Sequence, residues 1–213
     1  MNLSPIKLFK YVKPALVTNS KPLQRGTLSY CDPEAKSIFC SMITSYTGAG
    51  YVRTNRSIYD LMEEGTYPAK FFAPSDLNGK DVLDVGTGGG QVVLDLQKRG
   101  ANPIGIDIHS YPEHSAHPEL YKIADAADTK LPEKSYDRIY SAWSIFSFKS
   151  ENNDFKIKTL IEMKRILKDE GRIRLGALFS GIKELVKKAG ELKITAEDVS
   201  DSSPRWIELA KIK

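Results

Sequence analysis

One segment of this 213-residue chain limits its possible folds more than any other: residues 81–90, which read DVLDVGTGGG. The apolar run 82–85 is typical of a short buried strand, and glycines follow it at once. An amphipathic helix pattern then begins at Gln91. A strand that turns directly into a helix needs glycines where the backbone must approach a ligand closely. The segment therefore predicts a ligand-binding strand–turn–helix unit of an α/β protein.

The rest of the chain continues this alternation of strands and helices. Further strands are predicted at 103–107, 121–124, 137–142, 172–177, 193–195 and 206–212, and helices at 91–99, 154–168 and 181–189. Strands that alternate with helices form a mostly parallel sheet with helices on both faces. We therefore predict a single Rossmann-like, doubly wound α/β sheet of about seven strands.

The length fits one ordinary domain with terminal extensions. We interpret residues 1–75 as an amino-terminal arm and helical cap, and residues 76–213 as the core domain. In the cap, Asp32-Pro33-Glu34 has the residue types that begin a helix, and its apolar face would extend to Tyr46. A second cap helix is predicted at 57–64, with Gly65 after its end.

Composition excludes some classes of protein. The net charge of +4 is weakly basic, so stable nucleic-acid binding is not expected. No stretch approaches the roughly 18 apolar residues of a membrane span. Lysines interrupt the amino-terminal residues, which therefore lack the apolar run of a signal peptide. Cys31 and Cys40 follow no metal-ligand spacing. We expect reduced thiols, no metal, a cytoplasmic location, and a monomer or homodimer.

Acidic residues at strand ends limit the classes of ligand that the site could bind. Asp107 ends the second predicted strand, where a carboxylate can accept hydrogen bonds from ribose hydroxyls, and Asp125 follows the third. A dinucleotide would require G-x-G-x-x-G, but the third glycine position is occupied by Gln91. Asp84, two residues before Gly86, would repel a pyrophosphate but suits a ligand with a cationic amine. S-adenosylmethionine has this amine, a ribose and an adenine, and no phosphate.

The ordered set of motifs resembles the class I S-adenosylmethionine-dependent methyltransferases across residues 76–178. Residues 82–90 are similar to the first motif of that family, residues 105–108 to the second and residues 124–126 to the third. The resemblance implies a sheet with the first strand at its centre, in the order 3-2-1-4-5-7-6, and an antiparallel last strand. Asp169-Glu170-Gly171 replaces the usual Pro-Gly-Gly, a departure that affects the turn into the fifth strand.

The resemblance also implies roles for single residues. Asp84 would lie near the amine of the cofactor, Asp107 on the ribose, Ile108 against the adenine face, and Asp125 near the adenine amine. The full set of implied cofactor-binding residues is Asp84, Gly86, Thr87, Gly88, Gly90, Asp107, Ile108, Asp125, Ala126 and Ser141.

The acceptor site is less well determined by the sequence. The resemblance places Ser141 near the methionine end of the cofactor, and Trp143, Ser144 and Phe146 near the acceptor. Tyr51 precedes the core where family members fold a cap over the site. The alternative is that Trp143 and Phe146 belong to the core and that Tyr51 makes ordinary packing contacts. No catalytic residue can be named, because many methyl acceptors need only a general base and some need none.

All three histidines, His109, His114 and His117, fall within nine residues. Imidazole and carboxylate groups together can bind zinc, but two prolines interrupt the segment, so no helix face aligns the ligands. We expect a surface loop there. A metal site, or a role for His109 near the adenine or acceptor, remains the alternative.

These observations predict methyl transfer from S-adenosylmethionine, with a small molecule as the acceptor. One alternative is an enzyme that methylates RNA or protein and recruits it through the lysine-rich first 25 residues. Another is a non-catalytic, methyltransferase-like binding subunit, although the intact motif acids argue against it.

Overall fold

The computed structural model describes residues 45–46, 52–53, 57–63, 67–146, 153–176, 181–198 and 206–213. Two short strands, β1 (Ser45–Tyr46) and β2 (Val52–Arg53), pair antiparallel. The main sheet has seven strands: β3 (Asp81–Val85), β4 (Asn102–Asp107), β5 (Tyr121–Ile123), β6 (Tyr136–Ala142), β7 (Leu167–Gly176), β8 (Leu192–Asp198) and β9 (Trp206–Lys211).

Five α-helices accompany these strands in the described part of the chain: α1 (Ile58–Glu63), α2 (Pro74–Leu77), α3 (Gln91–Lys98), α4 (Asn153–Ile166) and α5 (Ile182–Ala189). Short 3₁₀ helices occur at Ala69–Phe71, Pro112–Ala116 and Pro118–Leu120. Within the described ranges, no helix combines the length and the apolar character needed to cross a membrane.

The strand order is β5-β4-β3-β6-β7-β9-β8. The pairs β5–β4, β4–β3, β3–β6 and β6–β7 are parallel, whereas β9 runs antiparallel to both β7 and β8. This is the predicted order, with an antiparallel last strand. The chain leaves β3 for β4 on one side and returns to β6 on the other, so the carboxyl ends of β3, β4 and β6 meet where doubly wound sheets bind ligands.

The predicted core elements are confirmed, with small differences at their ends. The largest difference is at β7, which begins at Leu167 directly after α4. Its pairing with β6 shifts from Tyr136↔Leu167 to Arg138↔Arg172, so the Asp169-Glu170-Gly171 segment forms a bulge. In the cap, helix α1 confirms the prediction at 57–64. The helix predicted from Asp32 is wrong at its end, since Ser45–Tyr46 form a strand, and the rest lies outside the described residues.

Both faces of the sheet are covered by apolar side chains. The larger cluster lies under α4 and α5 and includes the fully buried Leu83, Ile139 and Leu160. The smaller cluster lies under α1 and the 67–77 segment. There, Phe72 stacks on Tyr140 with ring centroids 4.9 Å apart. The sheet is thus buried on both faces, as a mostly parallel sheet requires.

Helix α3 holds the cap through two buried polar side chains. The Asp95 carboxylate, 1% exposed, accepts a 2.9 Å hydrogen bond from the backbone N–H of Ile58, the first residue of α1. The Arg99 guanidinium donates to the Phe72 carbonyl and lies over the Tyr59 ring, 4.4 Å from its centroid. A helix terminus leaves backbone donors unpaired, so Asp95 both caps α1 and fixes its position on α3.

A second attachment joins the 67–77 segment to the middle of the sheet. Asp76 accepts hydrogen bonds from Arg138 of β6, with Nε 3.0 Å from Oδ2, and pairs with Arg174 of β7 at 2.6 Å. Arg174, 4% exposed, also donates to Glu208 of β9 at 2.8 Å. Partial burial alone would raise the pKa of Asp76, but the hydrogen bonds and charges of the two arginines outweigh it and hold that pKa below its ordinary value.

We expect Asp76→Asn to lower the free energy of unfolding by about 1–3 kcal/mol, because it leaves two arginines without their shared carboxylate. Ionised Asp76 stabilises the fold above its unfolded pKa, and this contribution is lost as the pH falls through the lowered folded value. The difference between wild type and variant in urea unfolding should therefore shrink below about pH 4.

Asp128→Asn is the control, because Asp128 forms an exposed pair with Lys130. Its free energy of unfolding should stay close to the wild-type value at every pH. Equal stabilities of wild type and Asp76→Asn at pH 7 would contradict the attachment.

Candidate active site

The carboxyl edge of the sheet brings the predicted motif residues together. Asp84 of β3 is 6% exposed and lies in register between Gly105 of β4 and Tyr140 of β6. The glycine loop follows directly, and Asp107 ends the neighbouring strand β4. Two carboxylates on adjacent parallel strands thus flank the start of the glycine loop.

The loop requires glycine at two positions where side chains of other elements pack onto it. Gly86 has φ 77°, and a Cβ there would lie 1.7 Å from the Ser144 hydroxyl oxygen. Gly90 has φ 83°, and a Cβ there would lie 2.4 Å from the Tyr121 ring. Any side chain would both strain the backbone and displace these neighbours.

The backbone N–H groups of the loop are directed into the protein. Gly86 and Thr87 both donate to the Ile106 carbonyl, at 2.8 and 3.1 Å, and Gly90 donates to Thr87 at 3.0 Å. Gly88 donates to Asp107 Oδ2 at 3.0 Å. A phosphate-binding loop instead turns such donors toward the anion. The loop can approach a ligand closely, but its donors favour a ligand without phosphate.

The Asp84 carboxyl makes the site favourable for a cation. Its pKa is raised to about 7, mainly by burial, while the nearby Thr87 hydroxyl lowers it and the charge of Asp107 raises it. A cationic group bound beside Asp84 would offset the lost hydration and the repulsion between the two acids.

Tyr67 is a site residue that the sequence did not reveal. It is 4% exposed, stacks on Phe72 at 4.9 Å between centroids, and lies close enough to Asp84 for the two groups to interact electrostatically. Burial, and then the charge of Asp84, raises the pKa of the Tyr67 hydroxyl, so it remains a protonated donor. Tyr67 lies between Thr66 and Pro68 in the sequence, outside any helix or strand pattern, and only its packing places it here.

Two backbone N–H groups of the protein orient the Asp107 carboxylate. Its Oδ2 accepts from Gly88 N–H, and its Oδ1 accepts from His109 N–H at 3.1 Å. Each carboxylate oxygen can still accept a second hydrogen bond. The next residue, Ile108, is 62% exposed, so its apolar side chain is accessible to the face of a planar ligand.

The third motif is placed beside the second. Ile123 of β5 pairs with Asp107, and Ala124 N–H donates to the Asp107 carbonyl at 2.9 Å. Asp125 is exposed, with Oδ1 accepting from Ala127 N–H at 2.8 Å, whereas Ala126 is buried in the larger core. Direct cofactor contacts by Asp125 and Ala126 stay predictions.

The residues after β6 divide into two groups. Ser141 is 1% exposed, and its hydroxyl has no hydrogen-bond partner among the described residues, while Ser144 packs onto Gly86. Phe146 has no exposed surface and belongs to the larger core, and Trp143, 8% exposed, belongs to the smaller one. This burial favours the core alternative for both residues, and contacts of Phe146 or Trp143 with an acceptor stay predictions. Tyr51 lies outside the described residues.

The histidine segment is not a simple surface loop. It forms 3₁₀ helices in which His114 is 9% exposed, and the His114 Nε2 lies 2.8 Å from the Gly88 carbonyl oxygen. His117 is exposed and faces Glu119 at 3.6 Å. In the described part of the chain, no group of three or more ligating side chains could hold a metal ion.

Comparisons with known proteins give the family. Residues 83–175 match the family model described as a methyltransferase domain. No curated protein matches the sequence. Among solved structures, a Pyrococcus horikoshii protein is similar at 16% identity and a TM-score of 0.57, over 75% of this chain and 93% of that one.

Two further structures share the fold. A TehB-like, S-adenosylmethionine-dependent methyltransferase from Corynebacterium glutamicum is 20% identical, with a TM-score of 0.52, over 72% of this chain and 94% of that one. A Burkholderia thailandensis 1,6-didemethyltoxoflavin-N1-methyltransferase, solved with 1,6-didemethyltoxoflavin and S-adenosylhomocysteine, is 14% identical, with a TM-score of 0.53, over 71% and 83%.

Residues 83–175 therefore match a methyltransferase domain, and this match together with the shared fold indicates an enzyme that uses S-adenosylmethionine as its cofactor. The site fits this cofactor. Its loop donors are used internally, its carboxylates suit an amine and a ribose, and an exposed apolar side chain lies beside them.

The raised pKa of Asp84 predicts that cofactor binding depends on pH. A bound ammonium group favours the ionised carboxylate, so affinity for S-adenosylhomocysteine should fall by up to about tenfold per pH unit below 7. Binding at pH 6 should release protons, measured as calorimetric heats that differ between buffers of different ionisation enthalpy.

Asp84→Asn should bind more weakly and release no protons, while Asp128→Asn, at an exposed carboxylate paired with Lys130, should behave as wild type. Identical wild-type heats in all buffers at pH 6 would contradict this account of Asp84.

Proposed function

We propose that this methyltransferase acts on a small-molecule acceptor at the carboxyl edge of the sheet, beneath the 57–77 segment. The observation that carries the proposal is the distribution of charge between the two sheet edges. Asp84 and Asp107 lie at the carboxyl edge, whereas a group of paired lysines lies at the amino edge.

The amino edge collects charges from several strands. Lys168 Nζ lies 2.8 Å from both Asp81 and Asp137, at the starts of β3 and β6. Lys211, near the end of antiparallel β9, reaches Asp169 at 3.4 Å. A polyanion such as RNA is attracted by phosphate contacts with lysine and arginine. These cations are already paired with acids, and they lie on the edge opposite the site.

The residues proposed to bind S-adenosylmethionine, the methyl donor, have distinct tasks. Asp84 accepts from the donor's ammonium group, Tyr67 donates to an oxygen at the same end, and Asp107 accepts from the ribose hydroxyls. Ile108 supports one face of the adenine. Together they fix the donor's methyl-bearing end near Ser141 and Ser144, which follow β6.

Positioning and exclusion of water are the main contributions these residues can make. Transfer of a methyl group from a cationic sulfonium is an in-line displacement, so its rate depends on how the acceptor is held. Asp95 holds α1 on α3 and Asp76 holds the 67–77 segment on the sheet, where Tyr67 lies near Asp84 and both side chains are buried from solvent. A covered site favours a small acceptor. The Burkholderia enzyme that shares the fold is named for 1,6-didemethyltoxoflavin and was solved with it.

The test is methyl transfer from labelled S-adenosylmethionine into a cell extract separated into low-molecular-mass, RNA and protein fractions. We expect label in the low-molecular-mass fraction, at a rate that changes little between 50 and 300 mM salt. Asp107→Ala should lose about 2–4 kcal/mol of donor affinity, because it removes two ribose hydrogen bonds.

Asp128→Ala serves as the matched control and should transfer methyl groups at the wild-type rate. Label that appears in RNA, with a steep salt dependence that disappears when residues 1–25 are deleted, would replace this proposal with the RNA-directed alternative. Label in protein would equally overturn it.

A further inference from the structure

Two aromatic side chains, His114 and Tyr121, form hydrogen bonds with backbone carbonyls of the glycine loop. The His114 ring stacks on Tyr121, with centroids 4.1 Å apart and planes 8° apart. His114 Nε2 lies 2.8 Å from the Gly88 carbonyl oxygen, and the Tyr121 hydroxyl donates to the Gly90 carbonyl at 3.0 Å. Both rings come from the 111–121 segment, outside the three cofactor motifs.

The direction of the His114 hydrogen bond follows from its partner. A carbonyl oxygen only accepts, so His114 Nε2 carries the proton and donates to Gly88. The stack on Tyr121 and the edge-on contact of Tyr111, with centroids 5.4 Å apart, fix the plane of the imidazole. His114 is therefore a rigid, buried donor aimed at one peptide of the loop.

Gly88 connects this donor to the site. Its carbonyl accepts from His114, and its N–H donates to Asp107 Oδ2 at 3.0 Å. Gly88 has φ 54°, and a glycine can leave such a conformation at little cost when nothing holds it. Without the His114 hydrogen bond, the N–H that orients Asp107 loses its fixed position.

We infer that His114 is a positioning residue for the methyl donor, which acts through Gly88 to orient Asp107 toward the ribose, while Tyr121 supports it by stacking on its ring and holding Gly90. The inference rests on the proposed role of Asp107 and extends it to residues that do not touch the donor. Its physical basis is preorganisation, since a carboxylate already held in the bound geometry loses less freedom on binding.

The experiment measures the affinities of two ligands for the full-length protein by calorimetry. S-adenosylhomocysteine has the amino-acid end, ribose and adenine, whereas 5′-methylthioadenosine keeps only the last two. His114→Phe keeps an aromatic ring to stack on Tyr121 and removes the donor. It should weaken both ligands by the same factor, about tenfold, which is typical of one lost hydrogen bond.

Three further variants separate positioning from folding. His114→Gln restores an N–H donor and should bind within about threefold of wild type. Tyr121→Phe keeps its ring and should weaken both ligands, by less than His114→Phe does. His117→Phe, at the exposed histidine of the same segment, should bind both ligands as wild type.

A double-mutant cycle with Asp107→Ala is the decisive readout. If His114 acts through Asp107, His114→Phe should cost about tenfold in the wild-type background and less than about twofold when Asp107 is alanine. An equal loss in both backgrounds, or wild-type binding by His114→Phe, overturns the inference. Failure of His114→Gln to restore binding also overturns it.

The failure of the proposed donor site gives a different pattern. Asp84→Asn should weaken S-adenosylhomocysteine but leave 5′-methylthioadenosine unchanged, because that ligand lacks the amine. Wild-type binding of S-adenosylhomocysteine by both Asp84→Asn and Asp107→Ala would contradict the proposed binding site for the methyl donor. If those two variants lose affinity as expected but His114→Phe binds as wild type, only the inference about His114 is contradicted.

Discussion

The rest of the site depends on one constraint, a buried carboxylate at the end of the first core strand with a second carboxylate beside it. Burial and the neighbouring charge of Asp107 raise the pKa of Asp84 to about 7, so two ionised acids at this edge are electrostatically unfavourable without a cation beside them. A cationic ligand removes that conflict. The glycine loop agrees with a cationic ligand. The N–H groups of Gly86 and Thr87 donate to Ile106 and that of Gly88 donates to Asp107, so these donors are not turned toward an anion.

The cap matters because it completes this site. Tyr67 reaches Asp84 only if the 57–77 segment is held on the sheet, and buried polar contacts hold it there. Asp95 caps α1 from α3, and Asp76 binds Arg138 and Arg174 on adjacent strands. Buried polar side chains of this kind are costly unless they are fully paired. Their pairing therefore fixes one placement of the cap and, through Tyr67, one geometry of the donor site.

The sequence was informative where local chemistry determines the outcome. The strand–glycine–helix segment and the acid of the next strand predicted Gly86 and Asp107 at one sheet edge, because parallel strands bring their carboxyl ends together. Tyr67 and His114 could not be assigned, since their roles arise from contacts across long sequence separations. The histidine spacing marked the right segment but indicated only a loop. The sequence left two roles open for Phe146, because an aromatic residue after a strand fits either the acceptor site or the core, and it packs in the core.

A crystal structure with S-adenosylhomocysteine tests the central claim most directly. The account predicts both ribose hydroxyls within hydrogen-bond distance of Asp107, with Gly88 N–H still donating to that carboxylate. It also predicts the ligand's ammonium nitrogen beside Asp84 and the adenine on Ile108. A ligand bound elsewhere, or one whose ribose contacts avoid Asp107 while its amine lies far from Asp84, would contradict the account.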